Sequence, residues 1–93
     1  NLTRTSAPKT ALDVRTELDV RGMIGDDAWF MVDKFLDDAV LARLEQVTII
    51  HGKGTGALRA SLTSRLRHDS RVKSIRAGMF GEGDSGVTVV TLK

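Results

Sequence analysis

Val47-Thr48-Ile49-Ile50-His51-Gly52-Lys53-Gly54-Thr55-Gly56-Ala57-Leu58-Arg59 decides how this chain is read. An apolar run ending in histidine passes through three glycines and a lysine straight into helical spacing. A strand stops, the chain turns, and a helix begins. Glycine permits positive φ and close backbone approach, and the unpaired amides of a first helical turn favour negative charge. The loop therefore reads as a phosphate cradle with His51 and Lys53 beside it. It is not a Walker loop, because the spacing differs and no Lys-Ser or Lys-Thr pair follows the glycines.

Outward from that loop, Glu17 to Arg21 alternates charged and apolar residues, which predicts a strand with Leu18 and Val20 facing a core. Apolar positions 28, 32, 35, 36, 39 and 40 recur at helical spacing and predict a helix over Asp26 to Arg43, with two aspartates in its first turn. The run Val47 to His51 predicts a second strand, apolar enough to be covered on both faces. A second helix is predicted from Ala57 to His68, burying Leu58, Leu62 and Leu66, with Thr55 as its N-cap and His68 at its C-terminus. Val72 to Ala77 and Gly86 to Leu92 predict two closing strands joined by a polar, glycine-rich connection.

The order βαβαββ makes an α/β chain of the α+β two-layer type, with two helices on a four-stranded mixed sheet. The first three strands run parallel and the last runs antiparallel. Residues 1–15, with the only proline, Pro8, read as a linker or flexible N-terminal extension, and residues 16–93 as the folded domain. Leu-Asp-Val-Arg occurs at 12–15 and again at 18–21, too short an echo to make a solenoid.

Ninety-three residues suit one compact domain. The chain has no cysteine, which removes disulfides and cysteine nucleophiles and fits a reducing compartment, so a cytoplasmic location is expected. No apolar run approaches the roughly 20 residues of a membrane span. Asn1 in place of an initiator methionine is what a fragment would show. The net charge of +2 hides a division: residues 17–45 carry eight acidic and three basic side chains, residues 46–78 seven basic ones and a single acid, Asp69. Such a segment is either a basic face for nucleic acid or a solvated helix face.

Leu18-Asp19-Val20-Arg21-Gly22, the His51–Arg59 stretch and Gly81-Glu82-Gly83-Asp84-Ser85-Gly86-Val87-Thr88-Val89-Val90 stand in order with matching spacing. Over residues 18–93 the chain resembles an Smr (small MutS-related) domain, closest to the C-terminal Smr domain of the second bacterial MutS family. In that subfamily arginine commonly replaces the histidine of a Leu-Asp-Leu-His-Gly motif, as Arg21 does here. The resemblance implies a fold similar to the C-terminal domain of translation initiation factor three. It also implies a nuclease that nicks DNA, branched structures included, and suppresses recombination, with RNA or stalled ribosomes as further partners. A homodimeric parent protein is implied as well, the isolated domain being monomeric. Asp84 departs from the family in standing where glycine is frequent, and Ile24 in standing where a capping threonine is common, which is expected to shorten the first helix.

Phosphodiester hydrolysis requires a group to move protons and groups to stabilise charge on phosphorus. His51 is the first candidate for proton transfer, its alternative being a ring satisfied by nearby backbone. Lys53, with Gly52, Gly54, Thr55 and Gly56, is the candidate phosphate holder, its alternative a solvated turn. Asp19 and Arg21 emerge together near the carboxyl end of the first strand and serve as base and phosphate clamp, or as a salt bridge holding the edge. Arg59, Lys73 and Arg76 are weaker candidates for the nucleic-acid backbone. No metal constellation stands out and no tightly bound cofactor is expected; magnesium held through Asp19 and substrate phosphates stays open. Met79 and Phe80 either stack on an unpaired base or fold back over the core edge. Trp29 and Phe30 are adjacent, so one of them lies at a boundary. Beside the nuclease stand two other readings: a module that binds DNA or RNA within a larger MutS-like ATPase without cutting, and a protein-interaction module.

Overall fold

A computed structural model of the chain describes residues 15–93. The expected linker and the first Leu-Asp-Val-Arg copy lie outside the described residues, except Arg15. The elements are β1 (Glu17–Asp19), α1 (Gly25–Leu41), β2 (Gln46–Ile50), α2 (Ala57–Arg67), β3 (Val72–Ala77), a 3₁₀ turn (Asp84–Gly86) and β4 (Val87–Leu92). The sheet order is β1-β2-β4-β3, with β1 and β2 parallel and β4 antiparallel to both of its neighbours. The first three strands thus share one direction, and the last inserts between the second and third. Because β1, β2 and β3 advance the same way across the sheet, right-handed crossovers put both helices on one face.

That face carries the core. Leu18, Val47, Ile49, Val90 and Leu92 from the strands meet Val32, Phe35 and Leu36 of α1 and Leu62 and Leu66 of α2, all of them buried. With helices on one side only, β2 is not covered on both faces as its apolar run suggested: Val47 and Ile49 are buried, whereas Thr48 and Ile50 are half-buried. The strand buried on both faces is β4, from Val87 to Val90. Leu58, expected in the core, packs against it half-buried.

Helix α1 begins at Gly25, one residue before the expected start, so Ile24 does not shorten it. The Ile24 carbonyl accepts the first helical bond from the Ala28 amide at 2.8 Å, while its side chain stays exposed and gives no cap. The helix ends in a Schellman arrangement: the Leu44 amide donates to Ala39 O and the Arg43 amide to Val40 O, both at 3.0 Å, with Arg43 at φ +60. Trp29 packs half-buried against the core, with the Arg65 guanidinium 5.6 Å above its ring, and Phe30 is the exposed member of the pair. Among the described residues no helix is long and apolar enough to cross a membrane.

Candidate functional site

The carboxyl ends of β1 and β2 lie side by side, and the candidate site is built where both stop. The last rung runs from the Val20 amide to Ile50 O at 2.8 Å. Strand β1 ends at Asp19, short of the expected Arg21, which lies in a turn closed by the Met23 amide on Val20 O. Beyond β2, Gly52 takes φ +84, and a Cβ there would sit 3.3 Å from Arg21 Cγ. Glycine at this position lets the stem of Arg21 lie against the loop.

Asp19 holds the Arg21 guanidinium. Nε donates to Oδ1 and Oδ2 at 3.0 and 3.1 Å and Nη2 to Oδ2 at 2.7 Å, while the Arg21 amide adds a bond to Oδ1 at 3.0 Å. The side-chain bond from Arg21 is the main reason that the Asp19 carboxyl lies below its ordinary range, and the same bond raises Arg21. Both side chains remain well exposed, at 64 % for Arg21 and 45 % for Asp19. The carboxylate occupies the Nε–Nη2 edge, which leaves the Nη1–Nη2 end of the fork without a partner among the described residues.

His51 follows a different logic. It is 5 % exposed, its Nδ1 lies 2.9 Å from Gly52 O and its Nε2 lies 2.8 Å from Thr88 Oγ1. A carbonyl only accepts, so Nδ1 carries the proton and, in the neutral ring, Nε2 accepts from the Thr88 hydroxyl. The backbone alternative considered for this ring is thus half met, by Gly52, and a buried hydroxyl supplies the other half. Thr88 is the residue that sequence reasoning misses. Nothing in the spacing of residues 51 and 88 connects them; β4 lying beside β2 does.

Lys53 is exposed, lies in no ion pair among the described residues, and runs its stem along Gly86, where a Cβ would come within 3.5 Å of Lys53 Cγ. Thr55 is not the N-cap of α2. Gly56 holds that position at φ +86, and the Thr55 hydroxyl instead accepts the Ala57 amide at 3.3 Å from one residue further out. No acidic residue stands in the first turn of α2, whereas α1 has Asp26 and Asp27 there. A cleft of about 560 Å³ opens at this point, lined by residues 22–25 and 51–59 and by Ser61. Its lining holds Lys53, Arg59 and a helix start, and among the described residues not one carboxylate.

The remaining candidates divide. Arg59 lines the cleft. Arg76 is engaged by Glu82, with Nη1 to Oε1 at 2.8 Å and Nη2 to Oε2 at 3.1 Å, and this pair, with the Met79 amide, draws the Glu82 carboxyl down to about 2. Lys73 falls at the far end of the sheet, at a register shift opposite Leu92 and Thr91, in a groove with the C-terminal end of α1. Asp84 stands at φ +50, a conformation open to glycine and tolerated by aspartate, so the expected departure from glycine costs the backbone little. Met79 and Phe80 do not fold back; they are 63 % and 96 % exposed. Among the described residues no three histidines or carboxylates gather as metal ligands.

The family model described as Smr domain matches residues 18–93. The chain is 58% identical over 87 residues to the protein named Endonuclease MutS2 of Symbiobacterium thermophilum, covering 94% of this chain and 11% of that one. It is 55% identical over 83 residues to the protein of the same name from Ruminiclostridium cellulolyticum, covering 89% and 10%. The chain therefore spans about a tenth of the length of these relatives. The crystal structure of the Smr domain of Thermus thermophilus MutS2 superposes with a TM-score of 0.82 at 43% identity, over 85% of this chain and 99% of that one. YdaL, a stand-alone small MutS-related protein from Escherichia coli, shares the fold with a TM-score of 0.79 at 23% identity, over 97% of this chain and 70% of that one. With the family model matched from β1 to the last residue and a relative's Smr domain covered almost whole, the chain belongs to the Smr domain family.

Proposed function

We propose that the domain is an endonuclease that nicks nucleic-acid backbones with little sequence preference. Its main substrate is DNA, branched recombination intermediates included, and cutting them suppresses homologous recombination. The observation that carries this reading is a cleft surrounded by Lys53, Arg59 and the amide end of α2 with no carboxylate in its lining among the described residues; the Asp19–Arg21 pair lies outside that lining, with the Arg21 stem against Gly52. Its relatives named as endonucleases give the class of chemistry. In this reading Lys53 and the loop amides hold a phosphate, and the open end of the Arg21 fork meets the charge that develops on phosphorus. Asp19, drawn below the ordinary carboxylate range by Arg21, serves better as the anchor that aims the guanidinium than as a base. Proton transfer falls to His51 at Nε2, which in the neutral ring is the atom without a hydrogen once Nδ1–H donates to Gly52 O. Among the described residues Asp19 is the one carboxylate bonded to Arg21, and both its oxygens are engaged, which is no donor set for a resident magnesium ion. No step here is routed through a metal.

A second reading, a binding module of a larger ATPase that docks structured DNA, RNA or ribosomes without cutting, is favoured by the closure of His51, whose two ring nitrogens are both bonded and buried. Incubating the purified chain with nicked, branched, duplex and single-stranded DNA and with RNA, with and without chelator, separates the two. Scission that persists unchanged in a His51→Ala, Asp19→Asn variant sinks the nuclease assignment to these residues. Tight, salt-sensitive binding with no scission favours the module.

A further inference from the structure

The loop between β3 and β4 carries the most exposed aromatic ring among the described residues, Phe80. This exposure is not that of a slack loop. The Glu82 amide donates to Met79 O at 2.8 Å, closing a β-turn with Phe80 and Gly81 at its corner and Gly81 at φ +91, the sign that the third position of a type II turn requires. The Glu82 carboxylate accepts the Met79 amide at 2.8 Å and the Arg76 fork beneath it. The Gly78 amide donates to Asp84 O and Val87 O at 3.1 and 3.3 Å, and a Cβ on Gly78 would collide with Val87. The turn is tied at both ends, with the ring of Phe80 standing in water.

The same loop leads into the candidate phosphate site. Gly86 O accepts the amides of His51 and Gly52 at 3.1 and 2.9 Å, and Gly86 lies along the Lys53 stem. The charges on the two loops are opposite. Lys53 attracts phosphate, whereas at the tip Glu82 is matched by Arg76 and Asp84 has no cationic partner among the described residues, so the tip offers a phosphate chain no free cation and one unmatched carboxylate. A strand whose phosphate rests on the glycine loop and that continues past Gly86 to the tip would meet Phe80 with its bases rather than its backbone. Every base offers a flat π face, and stacking on a fixed ring does not depend on sequence.

We propose that Phe80 is a stacking platform for an unpaired base of the strand whose phosphate the glycine loop holds, so that the domain selects single-stranded or frayed segments over continuous duplex. In a duplex each base face is covered by its neighbour, and reaching the ring means unstacking a step. This inference rests on the reading of the glycine loop as a phosphate site, and the test keeps their failures apart. Affinities are measured for a short single-stranded oligonucleotide, an abasic oligonucleotide of equal length and charge, and a duplex, using the wild-type chain, Phe80→Ala and Lys53→Ala.

The wild type is expected to prefer the intact strand over the abasic one by about tenfold or more, the scale of one stacked base, and Phe80→Ala to lose that preference while duplex affinity changes less than about twofold. Lys53→Ala weakens all three and keeps the preference. Equal binding of intact and abasic strands by the wild type, or a preference that survives Phe80→Ala, overturns the stacking role even when Lys53→Ala behaves as expected. A change of oligomeric state in Phe80→Ala with nucleic-acid binding intact does the same, marking the ring as a protein contact. No affinity of the wild type for any of the three at low salt overturns both readings.

Discussion

Asp19-Val20-Arg21 and Asp69-Ser70-Arg71 build the same local device and use it differently. In each, the arginine amide and Nε donate to Oδ1 of the aspartate two residues earlier, at 3.0 and 3.0 Å in the first triplet and 2.9 and 2.9 Å in the second, and Nη2 meets Oδ2 at 2.7 Å in both. They part in what reaches them from elsewhere. Arg71 also donates from Nη1 to Asp33 O and Asp37 Oδ1, at 3.1 and 2.7 Å, and from Nη2 to Asp33 Oδ1 at 2.8 Å, so every guanidinium hydrogen is taken. Its side chain is 21 % exposed, against 64 % for Arg21. One pair ties α1 to the start of β3. The other stands open beside the glycine loop. The local motif sets the shape of the pair, and the long-range carboxylates decide whether it braces or binds.

Breaking the brace gives the largest expected effect. Arg71→Ala leaves the half-buried Asp69 without its partner and Asp33 and Asp37 facing each other one helical turn apart, at a cost of about 3 kcal/mol for the whole four-residue network. In a domain of this size that lowers the melting temperature by roughly 12–24 °C. Urea unfolding monitored by Trp29 fluorescence would show it as an earlier midpoint at unchanged slope. A loss below about 1 kcal/mol would mean that the brace has no more weight than a surface ion pair.

His51 sharpens the contrast from the site side, because it is bonded as fully as Arg71 within a region otherwise left open. Thr88→Val keeps the shape of the side chain and removes the hydroxyl, stranding a buried ring nitrogen at about 1–3 kcal/mol. If Nε2 is the atom that moves the proton, the same variant shifts the pH profile of cleavage; if the pair is purely structural, stability falls and the profile keeps its shape.

How much of this was legible in the sequence follows the same division. The strand-loop-helix passage at His51–Ala57, both helices and the direction of every strand could be read because hydrophobic period and glycine placement are local signals. The Asp19–Arg21 pair was readable as two neighbours on one strand end, although not that β1 stops at Asp19. The Arg71 brace was not, since Asp33 and Asp37 reach it only once α1 has packed beside β3. For the same reason Arg76 read as a free cation until the loop folded Glu82 back onto it, and β2 read as buried on both faces until both helices fell on one side.

Acid distinguishes the two pairs by a smaller margin. The side-chain bond from Arg71 lowers the Asp69 carboxyl below its ordinary value, so the folded state binds this proton less readily than the unfolded chain. Its stabilisation is complete above the unfolded carboxyl value of about 3.9 and is lost as pH falls from there through the folded value. Asp69→Asn is expected to cost about 1 kcal/mol near neutrality and to flatten the dependence of stability on pH below about 4. Asp19 is lowered as well, but its pair stands in water, so Asp19→Asn flattens that dependence by less than Asp69→Asn does.

The smallest effect on stability is the one that tests the comparison most directly. Arg21→Ala removes a guanidinium whose one carboxylate partner is itself in water, so the unfolding midpoint should stay within error of the wild type. Nucleic-acid affinity, by contrast, should fall, and the slope of log K against log salt should become shallower by about 0.7 on single strands and 0.9 on duplex, one phosphate contact in each case. Arg21→Lys restores the charge and most of the slope without the fork that takes Asp19 on one edge and phosphate on the other, so any cleavage it supports should recover less than binding does. Should Arg21→Ala instead unfold the chain as readily as Arg71→Ala, both pairs would be braces, and the open end of the Arg21 fork would have no claim on a substrate. A stable variant with an unchanged salt slope would break the comparison at its other end, by leaving the exposed pair with neither task.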